Sequence, residues 1–241
     1  MLGLTLVGAV VSVVTVFFGA AIQGSIGIGL GLVAAPVLAL ADPDFIPGTI
    51  IIAVLPLTLI VAWGDRAFVV RRDVVIALLG RLPGVIAGAA VAAAVSDRVL
   101  AVLVGVSVLV AVGISLTDWR VPTTDRALIG AGAASGFTGT TTGVGGPPMA
   151  LTYQHHDPTV MRATISAFFF VGASLSAAAL WAAGEIGARQ LELSALLVPA
   201  VVLGTVTART LRHHLRPGLV RPAVLVVCAA SAVLLLADSL T

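Results

Sequence analysis

Charge is scarce in this chain, and lysine is missing altogether. Aspartate, glutamate, lysine and arginine make up 10% of the 241 residues, and all 13 basic residues are arginine. A soluble domain carries about 25% charged residues. With 59% hydrophobic residues and a mean hydropathy of +1.14, the chain cannot cover a water-facing surface. We therefore expect an integral membrane protein in a lipid bilayer, with no nucleic-acid partner.

Reactive side chains are equally scarce. The single cysteine, Cys228, excludes an intrachain disulfide and a multi-cysteine metal site. We expect it to be a buried, inert thiol. The sequence shows no Ser/His/Asp constellation and no pair of intramembrane carboxylates. We therefore expect no enzyme, no cofactor and no metal.

Long apolar runs fill most of the chain. They are continuous rather than alternating, which favours helices over an outer-membrane barrel. The runs Leu30–Ala41, Ala127–Phe137 and Pro148–Gln154 are too short to cross a bilayer alone. The N-terminal run Leu2–Ala21 lacks a basic flank and is taken as part of the mature protein, not as a secretory signal. The prediction is an all-α membrane protein of about eight hydrophobic helical units.

The two halves of the sequence repeat. Two glycine-rich breaks, Gln23–Gly29 and Thr138–Pro148, interrupt the first unit of each half. The pairs at a constant offset of 116 are Gly27 with Gly143, Gly29 with Gly145, Pro83 with Pro199, and Gly88 with Gly204. We therefore expect two homologous transmembrane repeats, 1–118 and 125–241, in one integral membrane domain. Such duplication is common in transporters.

The arginines test how the halves are oriented. If every unit crossed fully, the loops of the two sides would hold six arginines each. If each glycine-broken unit instead enters and leaves on one side, the positive-inside rule is obeyed. That side then holds Arg66, Arg71, Arg72, Arg120, Arg126, Arg162, Arg209, Arg212, Arg216 and Arg221, and the other holds Arg98 and Arg189. Three full spans and one re-entrant unit per half invert the second half. The alternative stays open, because Leu2–Ala21 is long enough to cross alone.

The breaks predict an anion site. Irregular backbone at membrane depth survives only when it is buried in protein or faces a wet cavity. A helix that starts after such a break offers free N–H groups and a positive dipole end. Close helix packing through small residues is the alternative explanation. The candidate substrate-binding residues in the two breaks are Gln23, Gly24, Ser25, Gly27, Gly29, Thr138, Thr140, Thr141, Thr142, Gly143, Gly145 and Gly146.

Arg81 is a further candidate, because it is a charge inside the apolar run Val74–Val95. It could bind a substrate anion, pair with an acid such as Asp73, or extend its side chain toward the membrane surface. His155, His156 and Asp157 form a weaker candidate for proton coupling, since histidine titrates near physiological pH. An ordinary polar turn before Pro158 explains them as well.

The breaks together resemble a known family. The segment GFTGTTTGVGGPPMAL, residues 136–151, with its partner around Gln23–Gly31, resembles the sulfite exporter TauE/SafE family of membrane permeases. The resemblance implies transport of sulfite, thiosulfate, a sulfonate or a related organic acid across the bacterial cytoplasmic membrane, with proton coupling. A passive anion channel and a non-transporting membrane scaffold remain alternatives. Monomer and homodimer are both open.

Overall fold

The computed structural model describes residues 4–27, 29–117, 121–211 and 217–240, with the backbone alone at 211 and 217–221. The described chain is all-α. Its helices are α1 (Leu6–Ile26), α2 (Leu30–Ala41), α3 (Gly48–Gly64), α4 (Arg71–Ala94), α5 (Asp97–Ser115), α6 (Asp125–Thr142), α7 (Gly146–Tyr153), α8 (Pro158–Ala182), α9 (Ala188–Leu211) and α10 (Pro217–Leu240).

Six of these helices are long and apolar enough to cross a membrane: α1, α4, α5, α8, α9 and α10. The chain is therefore a multi-pass membrane protein. Helices α2 and α3 are apolar but shorter. Eight units and inverted halves stay predictions.

The glycine breaks are shorter than the sequence suggested. Helix α1 continues to Ile26, and α6 continues to Thr142, so the first break lies between Ile26 and Leu30 and the second between Thr142 and Gly146. The predicted break at Thr138–Thr142 is wrong in extent. The helix continues through these residues because the hydroxyls of Thr138, Thr141 and Thr142 each donate a hydrogen bond to the carbonyl four residues earlier. The hydroxyl groups of the threonines thus find acceptors within the helix itself.

At each break the chain folds back on itself. A Cβ at Gly19 would lie 3.2 Å from the Cα of Leu30, so α2 returns along α1. The Ser135 hydroxyl donates to the Gly145 carbonyl at 2.7 Å, so α7 returns along α6. Gly27 and Gly143 end the outgoing helices with φ of 97° and 76°. Only glycine adopts this left-handed conformation without strain.

Glycines bring the long helices into close contact. Helices α4 and α6 pack so tightly that a side chain at Gly80, Gly84 or Gly88 would meet the backbone of Ile129, Ala133 or Phe137. These contacts advance in the same order along both helices, which are therefore parallel. Helices α1 and α9 are parallel too, since Gly24 meets Ala208 and Gly204 meets Phe17. Small-residue packing, the alternative offered for the glycines, explains these positions.

Polar contacts define two ends of the molecule. At the first, named the Asp65 end, Arg162 pairs with Asp65 at 2.8 Å and Arg72 pairs with Asp125 at 2.8 Å. At the opposite end, named the Asp42 end, Arg189 pairs with Asp42 at 2.6 Å. The described arginines at the Asp65 end are Arg66, Arg71, Arg72, Arg126, Arg162 and Arg209, and those at the Asp42 end are Arg98 and Arg189. Arg120, Arg212, Arg216 and Arg221 lie outside the described side chains.

Candidate functional site

A cavity of about 400 Å³ lies between the returning helices and the core. Helices α2, α3, α4, α6, α7 and α8 contribute to its walls. Thr117 and His155 are exposed at its edge, near the Asp65 end. Ile50 and Gly143 line it deeper, toward the Asp42 end. The cavity is therefore open toward the Asp65 end.

The two breaks meet at this cavity. Gly31, in the first turn of α2, lies so close to the second break that any side chain would collide with the Gly143 carbonyl oxygen. Gly29, Gly143 and Gly145 all line the cavity. Two segments 116 residues apart in sequence thus form one site.

One of the free N–H groups at the N-terminus of α2 has an acceptor within the protein. The Gln23 side-chain oxygen accepts the Leu30 N–H at 2.9 Å. The next N–H groups of a first helical turn have no intrahelical acceptor. In α2 these belong to Gly31 and Leu32, and both residues line the cavity. They give the site two backbone donors at the positive end of a helix dipole.

The start of α7 offers fewer donors than its position suggests. Pro147 and Pro148 occupy the first turn, as expected for a helix start. Neither proline has an N–H, so among the first three residues of α7 only Gly146 can donate a backbone hydrogen bond. Of the two helix starts, α2 therefore has more backbone N–H donors than α7.

Arg81 supplies the charge of the site. It lies near the middle of α4, is 2% exposed, and lines the cavity. Its guanidinium donates to the Ser135 hydroxyl at 3.0 Å and to the Ser176 hydroxyl at 3.4 Å. It also lies over the Phe168 ring, 4.9 Å from the centroid. Its Nε has no hydrogen-bond partner.

No carboxylate of the described residues lies within 4.0 Å of the Arg81 guanidinium. Asp73, the acid considered as its partner, instead accepts the Tyr153 hydroxyl. Burial also excludes the idea that Arg81 extends to the membrane surface. Arg81 is thus a cation held by neutral groups alone.

Small residues make room for this cation. A Cβ at Gly172 of α8 would collide with the Arg81 Nε, and a Cβ at Gly136 would lie 3.0 Å from the Arg81 Cγ. Gly172, Ser135 and Ser176 were missed by the sequence analysis. Ser135 stands on the small-residue face of α6 between Gly132 and Gly136, and that spacing was a usable signal for it.

The structure brings together seven of the predicted site residues. Those that line the cavity are Gln23, Gly29, Arg81, Gly143, Gly145, Gly146 and His155. The other members have contacts elsewhere: Gly24 against Ala208 and Gly27 against Arg162, and the hydroxyls of Ser25, Thr138, Thr140, Thr141 and Thr142 on protein oxygens. Thr140 shares a hydrogen bond of 2.8 Å with Ser176 and so contacts a partner of Arg81.

The three weaker candidates for proton coupling, His155, His156 and Asp157, have different surroundings. His156 packs against the Tyr153 ring, with centroids 4.7 Å apart. Asp157 caps α8, where it accepts the N–H groups of Thr159 and Val160. These hydrogen bonds hold the pKa of Asp157 below its ordinary value. Only His155 of the three lines the cavity.

Comparison with known proteins identifies the family. The family model described as sulfite exporter TauE/SafE matches residues 12–235. No curated protein and no solved structure matches the chain. The match covers both breaks, Arg81 and every wall of the cavity. The chain belongs to the sulfite exporter TauE/SafE family of membrane transporters.

Proposed function

We propose that this protein is a secondary transporter that binds a small anion at Arg81, where the two glycine breaks meet, and carries it across the membrane by alternating access. The observation that carries the proposal is the buried Arg81 guanidinium, which lines a cavity and has only neutral partners. The family supports a small anion as the substrate.

The energetics favour an anion at this position. A buried charge without a counter-ion is expensive, even when hydroxyls and aromatic rings solvate part of it. Ser135 and Ser176 leave the Nε of Arg81 unsatisfied. A bound anion supplies the missing negative charge.

The packing supports two inverted halves. At an offset of 116, α1 corresponds to α6 and α4 to α9. Helix α4 packs along α6 as α9 packs along α1, so each pair joins corresponding elements of opposite halves. The end of α9 lies beside the end of α3, where Arg209 approaches Gly64. Since α4 starts there, α4 and α9 run in opposite directions.

The charges orient the protein. Six described arginines lie at the Asp65 end and two at the Asp42 end. By the positive-inside rule, the Asp65 end faces the cytoplasm of a bacterial cell. The cavity then faces inward.

The Asp42 end is closed by contacts between the halves. Arg189 of α9 pairs with Asp42 and, at 3.2 Å, with Asp44. The Ser194 hydroxyl donates to the Thr49 carbonyl at 3.3 Å. A site that is open at one end and closed by ion pairs and hydrogen bonds at the other is typical of alternating access rather than of a continuous channel. In this proposal His155, at the mouth, is the group best placed to couple a proton.

The test is anion flux into proteoliposomes with an imposed proton gradient. The wild type should accumulate an anion against its gradient. Arg81→Gln should lower uptake on the order of 100-fold, because a charged hydrogen bond to a buried group is lost. Arg66→Gln, at an exposed arginine of the Asp65 end, is the matched control and should retain uptake.

Three results decide the proposal. Full activity in Arg81→Gln would refute the assigned site. Flux that never exceeds equilibrium would identify a channel instead. Recovery of part of the uptake in Arg81→Lys, with Arg81→Gln folded but inactive, would show that the charge itself is required.

A further inference from the structure

We propose that Arg162 and Arg209 form a second anion site that takes a phosphate group, either on the headgroup of an anionic phospholipid or as free inorganic phosphate. The site is a cavity of about 180 Å³ at the Asp65 end, between α1, α3, α8 and α9, which we name the Arg162 cavity. It is separate from the cavity of about 400 Å³ at Arg81, which we name the central cavity. The site does not depend on the transport proposed at the central cavity.

Two helices separate the Arg162 cavity from the central cavity. Gln23 of α1 and Met161 of α8 line the central cavity. Their neighbours in sequence, Gly24 and Arg162, line the Arg162 cavity. An α-helix turns by about 100° per residue, so adjacent residues face different sides. No described residue lines both cavities, and a ligand of the Arg162 cavity therefore occupies a site of its own.

Arg162 is the buried cation of this cavity. It is 5% exposed. Its Nε donates to the Asp65 Oδ2 at 2.8 Å, and its Nη2 lies 2.8 Å from the same oxygen. A guanidinium has five N–H donors, so one carboxylate oxygen leaves several of them unused. The Arg162 Nη1 has no acceptor among the described residues and is not enclosed by protein atoms, so it is available to a ligand.

Arg209 completes the site from α9. A Cβ at Gly64 would lie 2.9 Å from the Arg209 Nη2, so this guanidinium lies directly over the backbone at the end of α3. A helix C-terminus attracts cations, which accounts for its position. No carboxylate of the described residues lies within 4.0 Å of Arg209. The Arg209 side chain is exposed and can therefore bind a ligand that arrives from the membrane surface.

The described residues of the cavity carry a net positive charge, because two arginines face one carboxylate, Asp65. Asp157 interacts electrostatically with Arg162 but does not line the cavity. Asp118 is the one acid whose side chain lies outside the described residues. It stands between α5 and α6 in sequence, and neither helix contributes a described residue to this cavity. The cavity thus favours an anion.

The chemistry and level of the cavity favour a phosphate group. Guanidinium groups bind phosphate oxygens through paired N–H···O bonds. The volume of about 180 Å³ holds a phosphate group and a few waters, since one water occupies roughly 30 Å³. Trp63, next to Gly64, is 68% exposed, with the Arg66 guanidinium over its ring. Exposed tryptophan is typical of the level of lipid headgroups.

The outer surface beside the cavity offers a place for acyl chains. Leu59 of α3 and Val206 of α9 are exposed and apolar. Each is the sequence neighbour of a residue that lines the cavity, Ile60 and Thr205. A phospholipid held by its phosphate can rest its chains on this surface, and free phosphate cannot use it. The two sources of the phosphate group are therefore distinguishable by affinity.

The experiment is a ligand-dependent thermal shift of the detergent-solubilised full chain. The ligands are inorganic phosphate, dihexanoyl phosphatidylglycerol and dihexanoyl phosphatidylcholine, which has the same chains and phosphate but no net charge. The anionic ligands should stabilise the wild type more than phosphatidylcholine does. A lower dissociation constant for phosphatidylglycerol than for phosphate would identify a lipid headgroup, and equal constants would identify free phosphate. No stabilisation by either anionic ligand would overturn the site.

Matched variants locate the binding. Arg209→Gln should raise the dissociation constant about tenfold, because charged hydrogen bonds to the phosphate are lost. Arg126→Gln, at an exposed arginine of the Asp65 end outside the cavity, should leave it unchanged. Arg81→Gln should also retain the response. Equal effects of the Arg209 and Arg126 variants, or loss of binding in Arg81→Gln, would overturn the placement in the Arg162 cavity.

Asp65→Asn should have the opposite effect on binding. It removes the carboxylate that competes with the ligand for Arg162, so the dissociation constant should fall. The unliganded variant should unfold at a lower temperature, because buried Arg162 loses its ion pair. A purely structural pair would give the lower stability without tighter binding, and that result would remove Arg162 from the site.

Discussion

The two glycine breaks use the same backbone device for different chemistry. Gly27 and Gly143 end their helices in the same left-handed conformation, and each is followed by a helix that returns. At the first break, the Leu30 N–H donates to the side-chain oxygen of Gln23, which lies on the helix before the break. The second is tied to a charge, because Ser135 bonds both the Gly145 carbonyl and Arg81.

Sequence positions at the offset of 116 show how this asymmetry arises. Gln23 corresponds to Gly139, Ser135 to Gly19, and Arg81 to Leu197. Where one half has the polar side chain, the other has glycine or leucine. Under the proposed repeat, Arg81 is placed against one break, and the corresponding position in the other half carries leucine.

The largest expected effect comes from separating the two breaks. In Gly31→Ala the new methyl group would collide with the Gly143 carbonyl, and backbone cannot move aside as a flexible side chain can. Overpacking of this kind costs about 1–3 kcal/mol. We expect a lower midpoint of thermal unfolding in detergent and loss of anion uptake in proteoliposomes.

Gly130→Ala is the control for this substitution. Gly130 lies inside α6 with nothing within 4 Å of an added Cβ. Alanine there should raise helix stability by up to about 1 kcal/mol. If Gly31→Ala were as stable and active as Gly130→Ala, the contact between the breaks would not matter for transport.

A smaller effect should follow from cutting the link between the second break and the charge. Ser135→Ala removes the hydroxyl that holds both Arg81 and the Gly145 carbonyl. Hydrogen bonds to charged groups contribute about 1.5–3 kcal/mol. We expect anion affinity to fall at least tenfold, measured as a dissociation constant by thermal shift.

Gln23→Met is the corresponding change at the first break. It removes the acceptor of the Leu30 N–H but leaves Arg81 and its hydroxyl partners in place. It should lower thermal stability and change affinity less than Ser135→Ala does. A reversed order, with Gln23→Met weakening affinity more, would show that the first break holds the anion directly.

Much of this arrangement could be predicted from the sequence, for identifiable reasons. The apolar runs predicted helices, and Gly27 and Gly143 marked the turns, because a left-handed residue favours glycine. The helical state of Thr138–Thr142 was missed, because it depends on back-bonds to carbonyls. The partners of Arg81 are 54 and 95 residues away in sequence. Only tertiary packing brings them together, so the small-residue spacing around Ser135 marks a packing position but does not reveal Arg81 as its partner.

The smallest expected effect concerns the residues that follow the returning helices. Helix α2 is followed by Asp42, which pairs with Arg189, whereas α7 is followed by Asp157, which caps α8. Backbone N–H donors lower the pKa of Asp157 below that of the unfolded chain. Its stabilising effect is therefore present above the unfolded pKa and is lost only as the pH falls through the lower, folded value. Asp157 stays ionised between pH 5 and 8.

Asp157→Asn should therefore leave the pH profile of uptake between pH 5 and 8 unchanged, since asparagine caps helices about as well as aspartate. His155→Gln, at the cavity mouth, is the paired variant, because histidine as a class changes charge in this range. If the histidine variant flattens the profile and the aspartate variant does not, the proton enters at the mouth of the cavity. A profile that shifts in Asp157→Asn would instead place proton coupling at the start of α8, outside the site that the two breaks form.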